Sequence, residues 1–165
     1  MSVIDTLITD RNLGDVNRVA YLLEQWNRQL ITNEEAAEWE NDLKGTYNAS
    51  DLNRVGTAVA YIRDLLAAYG YVVNVNPKTD WTDADIPTAD QLEAYRQDIV
   101  AIRAAVPQPS STPNPPATMD RLTYISANNI EKILQATNNI IERMAATFIY
   151  SGTVYSGQIW AQFGG

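Results

Sequence analysis

The amino-acid sequence predicts a mostly α-helical fold: a bundle of about five helices, a proline-rich spacer before the last helix, and a short extended or β-like tail. Three observations carry this expectation. Apolar residues recur at steps of three and four over most of the chain. Side chains able to accept helix N-terminal amides stand ahead of the apolar stripes, twice in capping-box form. Glycines follow two of the stripes where a left-handed stop residue belongs. The organisation read from this pattern is a helical domain over residues 1–149, with the spacer at 107–117 inside it, and a C-terminal tail over residues 150–165.

The elements follow in order. After an apolar lead of Val3, Ile4, Leu7 and Ile8, the acceptors Thr9, Asp10 and Asn12 precede a helix with the stripe Val16, Val19, Leu23, Trp26 and Leu30. Thr32 and Glu35 form a capping box for a short second helix carrying Ala36, Trp39 and Leu43, ended by Gly45. Ser50 or Asn48 starts the third helix, whose stripe is Leu52, Val55, Val59, Ile62, Leu66 and Tyr69, with Gly70 as its stop. Tyr71–Val75 reads as a short strand or an extended connector, and residues 76–83 as loop. Thr88 and Gln91 form the capping box of the fourth helix, striped by Leu92, Tyr95, Ile99, Ile102 and Val106. Five prolines among residues 107–116 forbid a helix there and predict a stiff, extended spacer. The fifth helix is expected from about Ser126 to Phe148. Beyond it, Tyr150-Ser-Gly-Thr-Val154 is followed at once by Tyr155-Ser-Gly-Gln-Ile159, a tandem repeat that suits strand or turn.

Composition narrows the chemistry. Twelve basic against 20 acidic residues give a net charge of -8, with only three lysines. That balance argues against nucleic acid as a partner, because phosphate neutralisation needs clustered cations. It also removes a polybasic membrane patch, and no apolar run approaches a membrane span. The chain contains neither cysteine nor histidine, so it lacks thiolate chemistry, the commonest general base and the commonest metal ligand. Serines have no evident activating base, and the glycines form no phosphate-cradling motif. No catalytic residue and no cofactor are expected. The first residues show no secretory signal, so a soluble protein made in the cytoplasm is expected.

Some features invite a sharper reading. Asp15-Val-Asn-Arg-Val19 and Asp51-Leu-Asn-Arg-Val55 nearly repeat, and Asn129-Ile-Glu-Lys-Ile133 matches them in chemistry. Either helix starts simply resemble one another, or the repeated residues make equivalent caps and inter-helix bonds. The loop Asp80–Asp85 offers three carboxylates and a threonine hydroxyl to a calcium ion, but lacks the glutamate and glycine of an EF-hand. Its bland reading is loop and helix-cap acids. Glu34, Glu35, Glu38 and Glu40 share one short helix, as a solvated face does. Trp26 and Trp39 lie on helical stripes and are expected in the core. Tyr150, Val154, Tyr155, Ile159, Trp160 and Phe163 are the candidate assembly contacts, since tyrosine and tryptophan supply large contact area with a polar handle. Trp81 is a possible ligand contact. The alternative, that these aromatics pack back on the bundle, stays open.

The segments Thr46–Val55, Lys78–Thr88, Leu122–Tyr124, Asn129–Leu134 and Tyr150–Gly157 resemble an uncharacterised family encoded by phages and prophages of Gram-positive gut bacteria, typically among tail and other virion genes. The resemblance runs from about Asp10 to Gly157. It implies a non-enzymatic virion structural protein of the tail, baseplate or fibre region, partnered by other virion proteins and by copies of itself. It supplies no catalytic residues. A host-surface or glycan recognition module working through exposed Trp81 and Trp160 is the second expectation.

Overall fold

The computed structural model describes residues 2–152 except Asp42, and side chains as far as Thr147. The fold is mostly α-helical, as expected. A 3₁₀ turn (Val3–Thr6) precedes α1 (Leu13–Asn27), α2 (Asn33–Glu40), α3 (Ala49–Ala68), α4 (Ala89–Ala104) and α5 (Tyr124–Gly152). No strand occurs among the described residues, so residues 71–75 form a connector.

Local chemistry places the helix ends. Asn48 accepts the amides of Ser50 and Asp51, and Asp51 returns a carboxylate to the Asn48 amide. Asn12 and Asp15 build the same box at α1. The Asp15 and Asp51 repeats are therefore equivalent as caps, with an asparagine three residues upstream completing each. The third match is not equivalent: Asn129 lies inside α5, and Thr123 accepts from the Ser126 amide at that helix start. Thr32 with Glu35 and Thr88 with Gln91 cap α2 and α4 as their spacing predicts. At the end of α3, the Gly70 amide bonds to the Ala67 carbonyl and the Tyr71 amide to Leu66. Gly70 has φ +84°, which a side chain would strain.

The core is the meeting of α3, α4 and α5. Leu52, Val55, Val59, Ile62 and Leu66 face Ile99, Ile102 and Val106, and both face Ile130, Ile133, Leu134 and Ile141. These are the residues of the predicted stripes, and burying each such side chain contributes roughly 1.5–3 kcal/mol.

All three core helices point the same way. Asn53 holds the Trp81 backbone and Gly56 touches the Lys78 carbonyl, so the connector after α3 runs back down that helix. Along the connector, Asn76 meets Asp98 whereas Trp81 lies beside Gln91 and Tyr95, which makes α4 parallel to α3. The proline segment repeats the manoeuvre. Arg103 donates to the Thr112 and Pro113 carbonyls and Arg96 to that of Pro116, so the chain descends along α4. The spacer is therefore seated on the bundle by arginine side chains, with Thr112 buried, and does not stand free of it. Parallel helices require such long returns, and proline serves them because its amide-free backbone needs fewer partners.

A buried charge network fastens the entry ends together. Glu131, with no exposed surface, accepts from the Ile8 amide at 2.5 Å, Arg11 Nη2 at 2.8 Å, and Arg54 Nε and Nη2 at 3.2 and 3.1 Å. Asp51 accepts from Arg11 at 2.7 Å and also from Arg54. Asn128 pairs with both backbone groups of Arg11. Burial works against the Arg54 charge, but bonds to Glu131 and Asp51 outweigh it and hold the guanidinium above its usual value. Two arginines against two carboxylates leave the cluster neutral, which is what allows it to be buried.

Candidate assembly surface

The α1–α2 hairpin stands apart from this core. Among element pairs, α1 makes a substantial contact only with α2. At about 100° per residue, Val16, Val19, Leu23 and Trp26 fall within an arc of roughly 80°. The sequence expectation turns this stripe inward. Instead Leu22, beside the stripe, is the one residue of α1 that is fully buried. Leu23 is 46%, Trp26 50%, Leu30 56% and Leu13 58% exposed. The reason is that α2 covers the neighbouring flank. Arg18 holds Glu38 at 2.6 Å, and the Tyr21 hydroxyl bonds Glu35, whose charge beside it raises the phenol pKa. Trp26 stacks on partly buried Trp39 with ring centroids 6.4 Å apart. These two tryptophans are thus a half-open pair on the hairpin, and not core residues.

The hairpin sits at the entry end of the bundle. Trp39 shares a cleft with Thr46, Asn48 and Asp83, next to the start of α3. Val16 shares another, of about 360 Å³, with Gly45, Tyr47, Leu122, Tyr124 and Ala127, next to the start of α5. The apolar stripe of α1 therefore leads into a concave site whose charged member, Arg11, is already paired with Asp51 and Glu131. Tyr47 at its wall donates to or accepts from Tyr95 at 2.5 Å, and burial pushes both phenols well above their usual pKa.

The opposite end belongs to α5. Among its described side chains Ile141 is the last buried one, and the helix continues to Gly152, about 16 Å further at 1.5 Å per residue. Tyr150 is accordingly in a helical backbone, and the helix passes the expected 149/150 boundary; local helix continuation overrides the strand-like Tyr-Ser-Gly pattern for these three residues. Val154, Tyr155, Ile159, Trp160 and Phe163 lie outside the described residues. No charged residue follows Arg143, so the last 22 positions are uncharged.

The remaining candidates resolve simply. Trp81 is 7% exposed and packs in the core, its backbone clasped by Asn53 and its ring 4.7 Å from Lys78 Nζ. Its ring is therefore not exposed as expected, although it lines two small clefts. The acidic loop around it is held by its own bonds: Asp85 accepts from the Thr82 amide and hydroxyl, and Asp80 pairs with Lys78. These bonds hold both carboxyls below their usual pKa. No cluster of three potential metal ligands occurs among the described residues, and no described helix is long and apolar enough to cross a membrane.

Comparison of the chain with protein-family models, curated proteins and solved structures finds no match.

Proposed function

We propose that this chain is a non-enzymatic assembly protein, a structural component of a phage particle in its tail, baseplate or fibre region, that binds neighbouring subunits. The single observation that carries the assembly reading is the half-exposed Leu13, Leu23, Trp26 and Leu30 surface on a hairpin that makes little contact with the core helices. Leu23 and Trp26 share one face of α1, with Leu13 and Leu30 exposed at its two ends, and exposed apolar surface beside a concave cleft is the mark of an interaction site. Two sequence features support it: the long uncharged end with its Tyr, Ile, Trp and Phe, and the lack of histidine and cysteine. Placement in a virion rests on the family resemblance of the segments quoted above.

Light scattering after size exclusion, on the full chain and on a version ending at Gly152, tests the assembly reading. An oligomer that becomes a monomer on truncation supports it. Assembly that persists unchanged without residues 153–165 removes the tail from it. A full chain that stays monomeric and binds no purified virion component defeats it.

A further inference from the structure

We propose that the uncharged C-terminal segment of one copy, centred on Tyr155, Ile159 and Trp160, docks on the α1 face of a second copy, along Leu23, Trp26 and Val16 towards the cleft beside Ala127. This rests on the reading of the chain as an assembly protein and specifies the two surfaces that meet.

Chain geometry selects a second copy over the same molecule. The α1–α2 hairpin lies at the end where α3 and α5 begin, since Trp39 neighbours Asn48 and Val16 neighbours Ala127. The C-terminal segment leaves from Gly152 at the other end. Ala127 and Gly152 are separated by 25 helical steps, about 37 Å. From Gly152 to Trp160 there are eight residues, which span at most about 29 Å when fully extended. A stretch of that length from Gly152 does not return to the level of Ala127, so the hairpin that this segment meets is a neighbour's.

Charge selects the same pairing. Every ionised side chain lies between residues 5 and 143, and the net charge of -8 makes two bodies repel. The 22 uncharged residues after Arg143 separate the contact from that repulsion. The face offered to them is equally free of charge along Val16, Val19, Leu23 and Trp26. Aromatic and aliphatic side chains of the segment would cover the half-open Trp26 and Leu23 and fill the cleft, where burying apolar surface is the driving force. Because the two surfaces differ, the contact is heterologous: it repeats head to tail and closes as a ring or continues as a filament.

The test separates the two surfaces. One variant carries L23K and L30K, at positions about half exposed, with the tail intact. The other ends at Gly152 with its face intact. Circular dichroism and thermal melting check that both fold as the parent does; should L23K/L30K melt early, W26S replaces it. The expected result is that each is monomeric alone and that mixing gives a 1:1 pair that grows no further. A synthetic peptide of residues 150–165 should bind the truncated chain at least tenfold more tightly than it binds the truncated chain carrying L23K and L30K. If the full-length L23K/L30K protein assembles like the parent while the truncation does not, the tail docks elsewhere: this inference is overturned and the assembly reading survives. If the peptide binds both truncated chains equally, the inference is likewise overturned. If the truncation assembles as the parent does, both the tail's role and this inference fall.

Discussion

Replacing Glu131 by glutamine is the most demanding test of the interior. The change preserves volume but removes one negative charge from a site with no exposed surface. Four donor contacts end on that carboxylate, from Ile8, Arg11 and Arg54. After substitution, two guanidinium groups share the single carboxylate of Asp51, and the new amide points its own donor hydrogens at donors. Breaking a buried ion pair from one side costs about 3–5 kcal/mol, because the remaining charge is stranded. Total stability of a domain is roughly 5–15 kcal/mol, so about a fifth or more is at risk. At ~2–4 °C per kcal/mol for a chain of this size, the melting temperature should fall by roughly 6–20 °C. Urea unfolding followed by circular dichroism gives the free energy directly. The control is Glu24→Ala, which breaks the exposed pair with Arg28 at 3.1 Å and should cost less than about 0.5 kcal/mol. If E131Q costs under 1 kcal/mol, the cluster is not the fastener described above. A combined E131L/R54M protein should recover part of the loss, since an apolar replacement leaves fewer unpaired charges.

Gly56→Ala should destabilise the protein although alanine favours helices, because its methyl would lie 2.4 Å from the Lys78 carbonyl oxygen. The expected cost is about 1–3 kcal/mol by denaturant unfolding, and a gain would show that the connector is not fixed there. Tyr47→Phe leaves the Tyr95 hydroxyl buried without its partner and should cost about 1–2 kcal/mol, while the double phenylalanine variant should cost less than the two single ones added. Burial raises both phenols in the folded state, so the stability they contribute is complete below the ordinary tyrosine value near 10 and is lost as pH rises above it. Alkaline unfolding of the parent should therefore begin earlier than that of the double variant. At the acid end, Arg96 and then Gln97 lower the Glu93 carboxyl to about 2. Its contribution is present above about 4.5 and fades as pH falls towards 2. A nuclear magnetic resonance titration should find Glu93 titrating near 2, and closer to its ordinary value in Arg96→Ala, where only the Gln97 bond still lowers it.

Much of the fold was legible because α3, α4 and α5 obey local rules. Leu52 to Leu66 and Leu92 to Val106 are periodic stripes with caps and stops in place, and burial follows them. The same rule misled at α1. Val16 to Leu30 is as periodic as the others, but periodicity says only that one face is apolar, not that this chain supplies its cover. Trp81 misled in the opposite sense, since a loop of aspartates signals exposure while the ring at its centre is drawn into the core by Asn53, 28 residues upstream. The charge network was invisible for a related reason: Arg11, Asp51 and Glu131 are far apart in sequence, and no spacing announces such a pairing. Nothing in the proline segment stated where it would lie, since the side chains that hold its carbonyls, Arg96 and Arg103, belong to α4 and no spacing links them to it.

The parallel arrangement of the core helices has a consequence for how the chain reaches its native state. In an up-and-down bundle neighbouring helices zip as hairpins, with small loop-closure cost. Here each helix must wait for a connector to travel back along it before the next can dock. The contact between Arg54 and Glu131 spans 77 residues and that between Arg11 and Glu131 spans 120. Such separations slow folding relative to local topologies. A chain leaving the ribosome also presents Arg11, Asp51 and the faces of α3 and α4 before Glu131 and the isoleucines of α5 exist to complete them. Helix α5 closes the core, so translation must pass residue 141 before the interior can be sealed.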